Sequence, residues 1–116
     1  METFDISDDP AIYESFPDVA LTDRGRLVCV FSECTHHGDR AYTNNVVVTS
    51  EDRGRTWSEK RPLTDPRYQS DDGSYWDCPR VSRLADGRLV AVVNEVAGDT
   101  PDRAVERNYL LFSDDG

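Results

Sequence analysis

The sequence repeats itself. Phe16–Glu33 reads FPDVALTDRGRLVCVFSE, and Cys78–Glu95 reads CPRVSRLADGRLVAVVNE. Offset by 62, eight of these eighteen positions are identical: Pro17/Pro79, Val19/Val81, Gly25/Gly87, Arg26/Arg88, Leu27/Leu89, Val28/Val90, Val30/Val92 and Glu33/Glu95. At an offset of 63, Val46-Val47-Val48-Thr49-Ser50-Glu51-Asp52 lies over Tyr109-Leu110-Leu111-Phe112-Ser113-Asp114-Asp115, so the order of features recurs too. A repeat of this kind constrains the fold strongly, because each unit must build the same local structure and stack on its neighbour.

Each unit reads as antiparallel strands. Val19–Leu21 and Arg26–Phe31 flank Thr22-Asp23-Arg24-Gly25, a turn cluster whose glycine can take a positive φ. Val81–Leu84 and Arg88–Asn94 flank Ala85-Asp86-Gly87 in the same way. A third strand is expected near Asn45–Thr49, ending at Ser50, and a fourth from about Thr56 to Arg61. No stretch carries a helical apolar period. The fold class is therefore all-β, and four-stranded antiparallel units with one signature each describe the blades of a β-propeller. One blade unit is expected over 16–61 and a second over 78–116.

The signature is Ser50-Glu51-Asp52-Arg53-Gly54-Arg55-Thr56-Trp57, which matches the Asp-box S-x-D-x-G-x-T-W at every defining position. Its residues suit a structural turn. Asp52 can accept backbone N–H bonds, Gly54 relieves the turn, and Trp57 can pack on the blade. The pattern of an Asp-box preceded by P-x-V-x(4–5)-G-R-L-V resembles the sialidase-like (BNR-repeat) superfamily over nearly the whole chain. That resemblance implies a six-bladed propeller of which about two blades are present here. Ser113-Asp114-Asp115-Gly116 looks like a second Asp-box interrupted before its Thr-Trp, which implies that the remaining blades are missing from this chain.

Alternating strand direction sorts the loops onto two ends. The Asp-box turn and the Gly25 and Gly87 turns share one end. Residues 8–16, 33–44, 62–78 and 95–107 form longer polar loops at the other, where binding residues concentrate. The resemblance makes this second end the catalytic one. It implies that Asp39, in the loop after the second strand, is a general acid/base. Glu33, His37, Arg40, Asp77 and Arg80 are the accompanying substrate-binding candidates. The family's Tyr–Glu nucleophile pair comes from later blades, so no tyrosine here takes that role. The family also grips the substrate carboxylate with three arginines. The first of these positions holds Ser15 here, and its counterpart holds Asp77. Arg40 or Arg80 would have to substitute.

The function implied is part of an exo-sialidase-type glycoside hydrolase acting on terminal sugars of glycans, the fragment alone being inactive. The alternatives are a non-catalytic BNR-repeat propeller used for binding or scaffolding, and a related enzyme acting on a different acidic sugar. The implied partner is a glycan or small sugar, with no cofactor. His36 and His37 are adjacent and point apart on a strand, and no second ligand pair is spaced for zinc, so no metal is expected. Tyr75-Trp76 is either a sugar-stacking platform or packing between blades.

Composition closes off several other classes. The formal net charge of −10 argues against nucleic-acid binding, which needs clustered cations. No apolar run is long enough for a membrane span. The start METFDISDDP has neither the basic nor the apolar region of a signal peptide, which points to the cytoplasm. Cys29, Cys34 and Cys78 are odd in number and read as free thiols. Lys60 is the only lysine beside twelve arginines, and sixteen Asp outnumber seven Glu. That balance fits either a halophile surface or an ordinary acidic protein from an arginine-rich, GC-biased genome.

Overall fold

The structure is a computed structural model and describes residues 1–97 and 106–114. Eight strands follow one another: β1 (Tyr13–Leu21), β2 (Leu27–His36), β3 (Asp39–Ser50), β4 (Arg61–Pro62), β5 (Arg67–Tyr68), β6 (Tyr75–Arg83), β7 (Leu89–Val96) and β8 (Glu106–Ser113). All pairings are antiparallel. β1-β2-β3-β4 form one sheet, with β5 also on β3, and β6-β7-β8 form a second. No helix occurs among the described residues.

The repeat is visible in the backbone. Thr22 N–H bonds Arg26 O at 2.9 Å in the first hairpin, and Leu84 N–H bonds Arg88 O at 2.8 Å in the second. Gly25 and Gly87 take φ of 83° and 89°, as a turn of that shape demands. Both units also share a feature the strand pattern does not announce. Phe16-Pro17 and Cys78-Pro79 are β-bulges, where the register of β1 on β2 slips between Ser15 and Asp18, and that of β6 on β7 between Asp77 and Arg80. Phe16 and Cys78 hold positive φ of 56° and 37°, at an offset of 62. The extra residue reverses the facing of everything before it. The bulge also lets β1 and β6 run on from Tyr13 and Tyr75, well before the expected starts at Val19 and Val81.

The fourth strand departs from expectation. Residues 51–60 are not strand; pairing with β3 resumes at Arg61–Pro62 and again at Arg67–Tyr68. The Asp-box spends its groups on its own turn, so the chain regains the ladder only when Ser58 N–H reaches Thr49 O at 2.8 Å. Pro62 and Pro66 then offer no N–H. Leu63 and Thr64 both donate to Asn45 O, at 2.8 and 3.3 Å, which splits the strand in two.

Strand register assigns each side chain to a sheet face, since directly opposed residues share one. In the first sheet, face one carries Asp18, Ala20, Val28, Val30 and Val47, and face two carries Val19, Leu21, Cys29, Phe31, Val46 and Val48. Face one packs on Val81 and Leu89 of the second sheet to form the inter-sheet core. Burying each such aliphatic side chain contributes about 1.5–3 kcal/mol. Polar links fix the approach: Val81 N–H donates to Asp18 Oδ2 at 3.0 Å, Trp76 N–H to Thr43 Oγ1 at 3.0 Å, and Arg83 pairs with Asp23. Face two is covered in part by Ile6 and Trp57.

Candidate functional site

The two ends of the sheets differ in chemistry. At the Asp-box end, Ser50 Oγ donates to Asp52 Oδ1 at 2.8 Å and accepts from Gly54 N–H at 2.8 Å. Asp52 Oδ1 also takes Thr56 N–H at 2.9 Å, and its Oδ2 takes Thr56 Oγ1 at 2.6 Å. Trp57 Nε1 closes the motif onto Gly54 O at 3.1 Å. The hydroxyl and amide of Thr56, with Ser50, hold the Asp52 carboxyl down at about 2, because each donor favours the ionised form. Every one of these bonds is internal to the turn.

At the other end the β2–β3 hairpin tip, His36-His37-Gly38-Asp39, projects beside the starts of β1 and β6. Tyr13 lies with its ring 6.4 Å from that of His36 and 5.2 Å from that of His37. Tyr75 lies under Arg40, whose guanidinium carbon is 5.0 Å from the ring centroid. Tyr13 and Tyr75 are themselves repeat partners at an offset of 62. Extending the sequence alignment three residues upstream of Phe16 would have found them. Asp39 is exposed, and its Oδ1 accepts Ala41 N–H, at 2.8 Å, within the turn. Asp77 is half-buried, with Oδ1 on Cys78 N–H at 3.0 Å.

Asp39, Arg40 and Asp77 are close enough to act on one another's neighbours. Burial pushes the Cys34 thiol up; Arg40 opposes this, while Asp77 and Asp39 add to it. Burial likewise raises Cys78, with the Asp77 carboxylate adding to the effect. Both sulfurs are therefore protonated and poorly nucleophilic at neutral pH. All three cysteines are free.

The remaining site candidates fall elsewhere. Arg80 lies beyond the bulge, exposed, with one guanidinium nitrogen on Pro79 O at 3.1 Å. Glu33 is buried and both its oxygens are taken: Oε1 accepts Tyr42 OH at 2.6 Å, and Oε2 accepts Lys60 Nζ at 2.9 Å. Lys60 also reaches Asp9 and Glu14 at 2.9 Å each. Burial works against the Lys60 charge, but the bonds to Glu14, Asp9 and Glu33 outweigh it and raise its pKa. Burial, with the Glu33 carboxylate, pushes Tyr42 up to about 12, so its phenol stays protonated. Glu95 repeats the arrangement, accepting Tyr109 OH at 2.7 Å and Arg67 at 3.1 Å.

Trp76 belongs to the packing, being buried with its indole N–H on Asp65 O at 2.6 Å and Arg67 over its ring at 5.2 Å. Ser15 lines a cavity of about 280 Å³ with Phe4, Ile6, Glu14, Pro17 and Phe31. Of the expected loops at this end, residues 98–105 lie outside the described residues, as do Asp115 and Gly116 of the interrupted Asp-box.

No family model and no curated protein matches the sequence. Solved structures do match. One is a protein of unknown function from Dyadobacter fermentans, with a TM-score of 0.70 and 20% identity, covering 95% of this chain and 35% of that one. Another is the Hadza microbial sialidase Hz136, with a TM-score of 0.60 and 18% identity, covering 89% of this chain and 22% of that one. The chain thus spans about a third of the first and less than a quarter of the second. At this identity the likeness concerns the fold. The class defined is an all-β protein of two packed antiparallel sheets, shared with part of a larger unknown-function protein and part of a sialidase.

Proposed function

We propose that the chain is a two-blade portion of a sialidase-type β-propeller, and that the end carrying Tyr13, His37, Asp39, Arg40, Tyr75 and Asp77 engages a terminal sugar of a glycan. The observation that carries this reading is the arrangement at that end. Two repeat-related tyrosines flank a hairpin tip bearing a carboxylate and two imidazoles, with an arginine on one ring. Aromatic faces stack on sugar rings, while carboxylate and guanidinium groups bond hydroxyls and acidic substituents. The likeness to a sialidase supports the same reading.

Within it, Asp39 is the general acid/base. It is the carboxylate at the tip with an oxygen left over after its turn bond. Arg40 and Asp77 orient the sugar. Glu33 supports them from below through Tyr42 and Lys60 and does not touch the ligand. The resemblance assigns the nucleophile pair to later blades, and the Tyr42–Glu33 pair here is tied to Lys60 with its phenol held protonated. The chain therefore binds without turning over.

An amide-resolved NMR titration with a sialyl-oligosaccharide tests this. Shifts should concentrate at residues 36–40 and 75–78 and leave 50–57 unmoved. Shifts centred on the Asp-box, or none at millimolar ligand, would overturn it.

A further inference from the structure

We infer that copies of this chain associate head to tail, the outward face of the second sheet packing on face two of the first sheet of the next copy. The inference starts from the contact already made inside the chain. There, face one of the first sheet packs on the opposite face of the second, through Ala20, Val28 and Val30 against Val81 and Leu89. The two faces in contact are different, so the packing has a direction.

The repeat reproduces the giving face. At offsets of 62 and 63, Val28, Val30 and Val47 become Val90, Val92 and Leu110. Register places these three on one side of the second sheet with Ser82 and Phe112, directed away from the first sheet. Val90 is half-buried and the others are open to solvent: Val92 is 37% exposed, Leu110 60% and Phe112 57%. The residues that hold the two sheets together inside the chain thus recur on an exposed surface, where the Arg88 guanidinium lies over the Phe112 ring at 5.4 Å.

The receiving face is reproduced as well. Val81 and Leu89, which accept face one, correspond to Val19 and Leu27 on face two of the first sheet. Val19 is 52% exposed and Leu21 55%. Ile6 and Trp57 pack against the part of that face carrying Cys29, Phe31, Val46 and Val48, and Val19 and Leu21 at the β1 edge stay exposed. A contact between two different faces is heterologous. It continues from copy to copy until the rotation closes a ring.

The test is the solution mass of the 116-residue chain by light scattering after gel filtration, at low salt and in molar KCl. Association above the monomer is expected, stronger in salt because the copies share a net charge of −10. Leu110→Glu and Val19→Glu should each reduce the mass. Both positions are exposed, and an unchanged far-ultraviolet circular dichroism spectrum would show that each variant folds. The decisive arm mixes the two variants. Leu110→Glu keeps a sound receiving face and Val19→Glu a sound giving face, so the mixture should form a dimer and go no further. A chain that stays monomeric in both salts, or associates regardless of these variants, or gives variants that fail to pair when mixed, would overturn the inference.

Discussion

Replacing Lys60 by Met removes the one cation from a cluster of three carboxylates. Glu33 and Glu14 have side chains only 10% and 19% exposed, and Asp9 is 38% exposed. Removing one partner of a buried ion pair costs about 3–5 kcal/mol, and an exposed pair costs about 0–1. Lys60 is itself 24% exposed, and water reaching the site screens the loss, so about 2–4 kcal/mol is expected at pH 7. That is a large part of the roughly 5–15 kcal/mol that a domain of this kind holds. In the native chain the Lys60 pKa lies above its ordinary 10.5. Its contribution is thus complete below that pH and lost as pH rises through the folded value. In the variant Glu14 and Glu33 are left buried without a cation. Urea unfolding at pH 7 measures the loss, and Lys60→Met with Glu33→Gln should recover part of it. A deficit under about 1 kcal/mol would refute the reasoning.

Asp52→Ala should lower the melting temperature by several degrees and leave ligand shifts at residues 36–40 unchanged. Since the Asp52 carboxyl is held at about 2, below its ordinary 3.8, its stabilising effect is present above pH 3.8 and fades as pH falls toward 2. Lost binding at normal thermal stability would make Asp52 a ligand contact. Because 23 acidic residues face 13 cations, the melting temperature should climb between low salt and about 2 M KCl; a flat or falling curve would count against a halophilic origin. The chain alone should release no detectable product from an aryl sialoside, and steady turnover would show that two blades hold a complete site. In a protein that carries the remaining blades, Asp39→Ala should cut turnover about 100-fold or more, and an effect under about threefold would take Asp39 out of the mechanism.

Much of the architecture was legible in the repeat. The paired Gly25 and Gly87 hairpins, the strand order and the internal character of the Asp-box all follow from residues whose preferences are local. What escaped depends on distance along the chain. The split of β4 from β5 comes from two prolines competing with the Asp-box for the β3 ladder. The recurrence of Glu33 as Glu95 suggests a repeated structural role, yet no spacing rule names Lys60, 27 residues on, as its partner. Glu33 therefore also read as a candidate ligand contact. Tyr13 was missed because the alignment began at Phe16.

The bulge at Phe16-Pro17 and Cys78-Pro79 divides each of its strands into two independent territories. After it, Ala20 and Val81 enter the core between the sheets while Val19 stays exposed. Before it, Glu14 is committed to Lys60 and Trp76 is tied to Thr43 and Asp65, whereas Tyr13, Ser15, Tyr75 and Asp77 take the alternate positions at the open end. Ser15 and Asp77 occupy matching places yet differ in charge, while Val19 and Val81 beyond the bulge are identical. Such a strand is a chassis with an interchangeable tip. A designer can edit Tyr13 and Ser15 on one strand and Tyr75 and Asp77 on the other while Glu14 and Trp76 keep their bonds to the rest of the sheets.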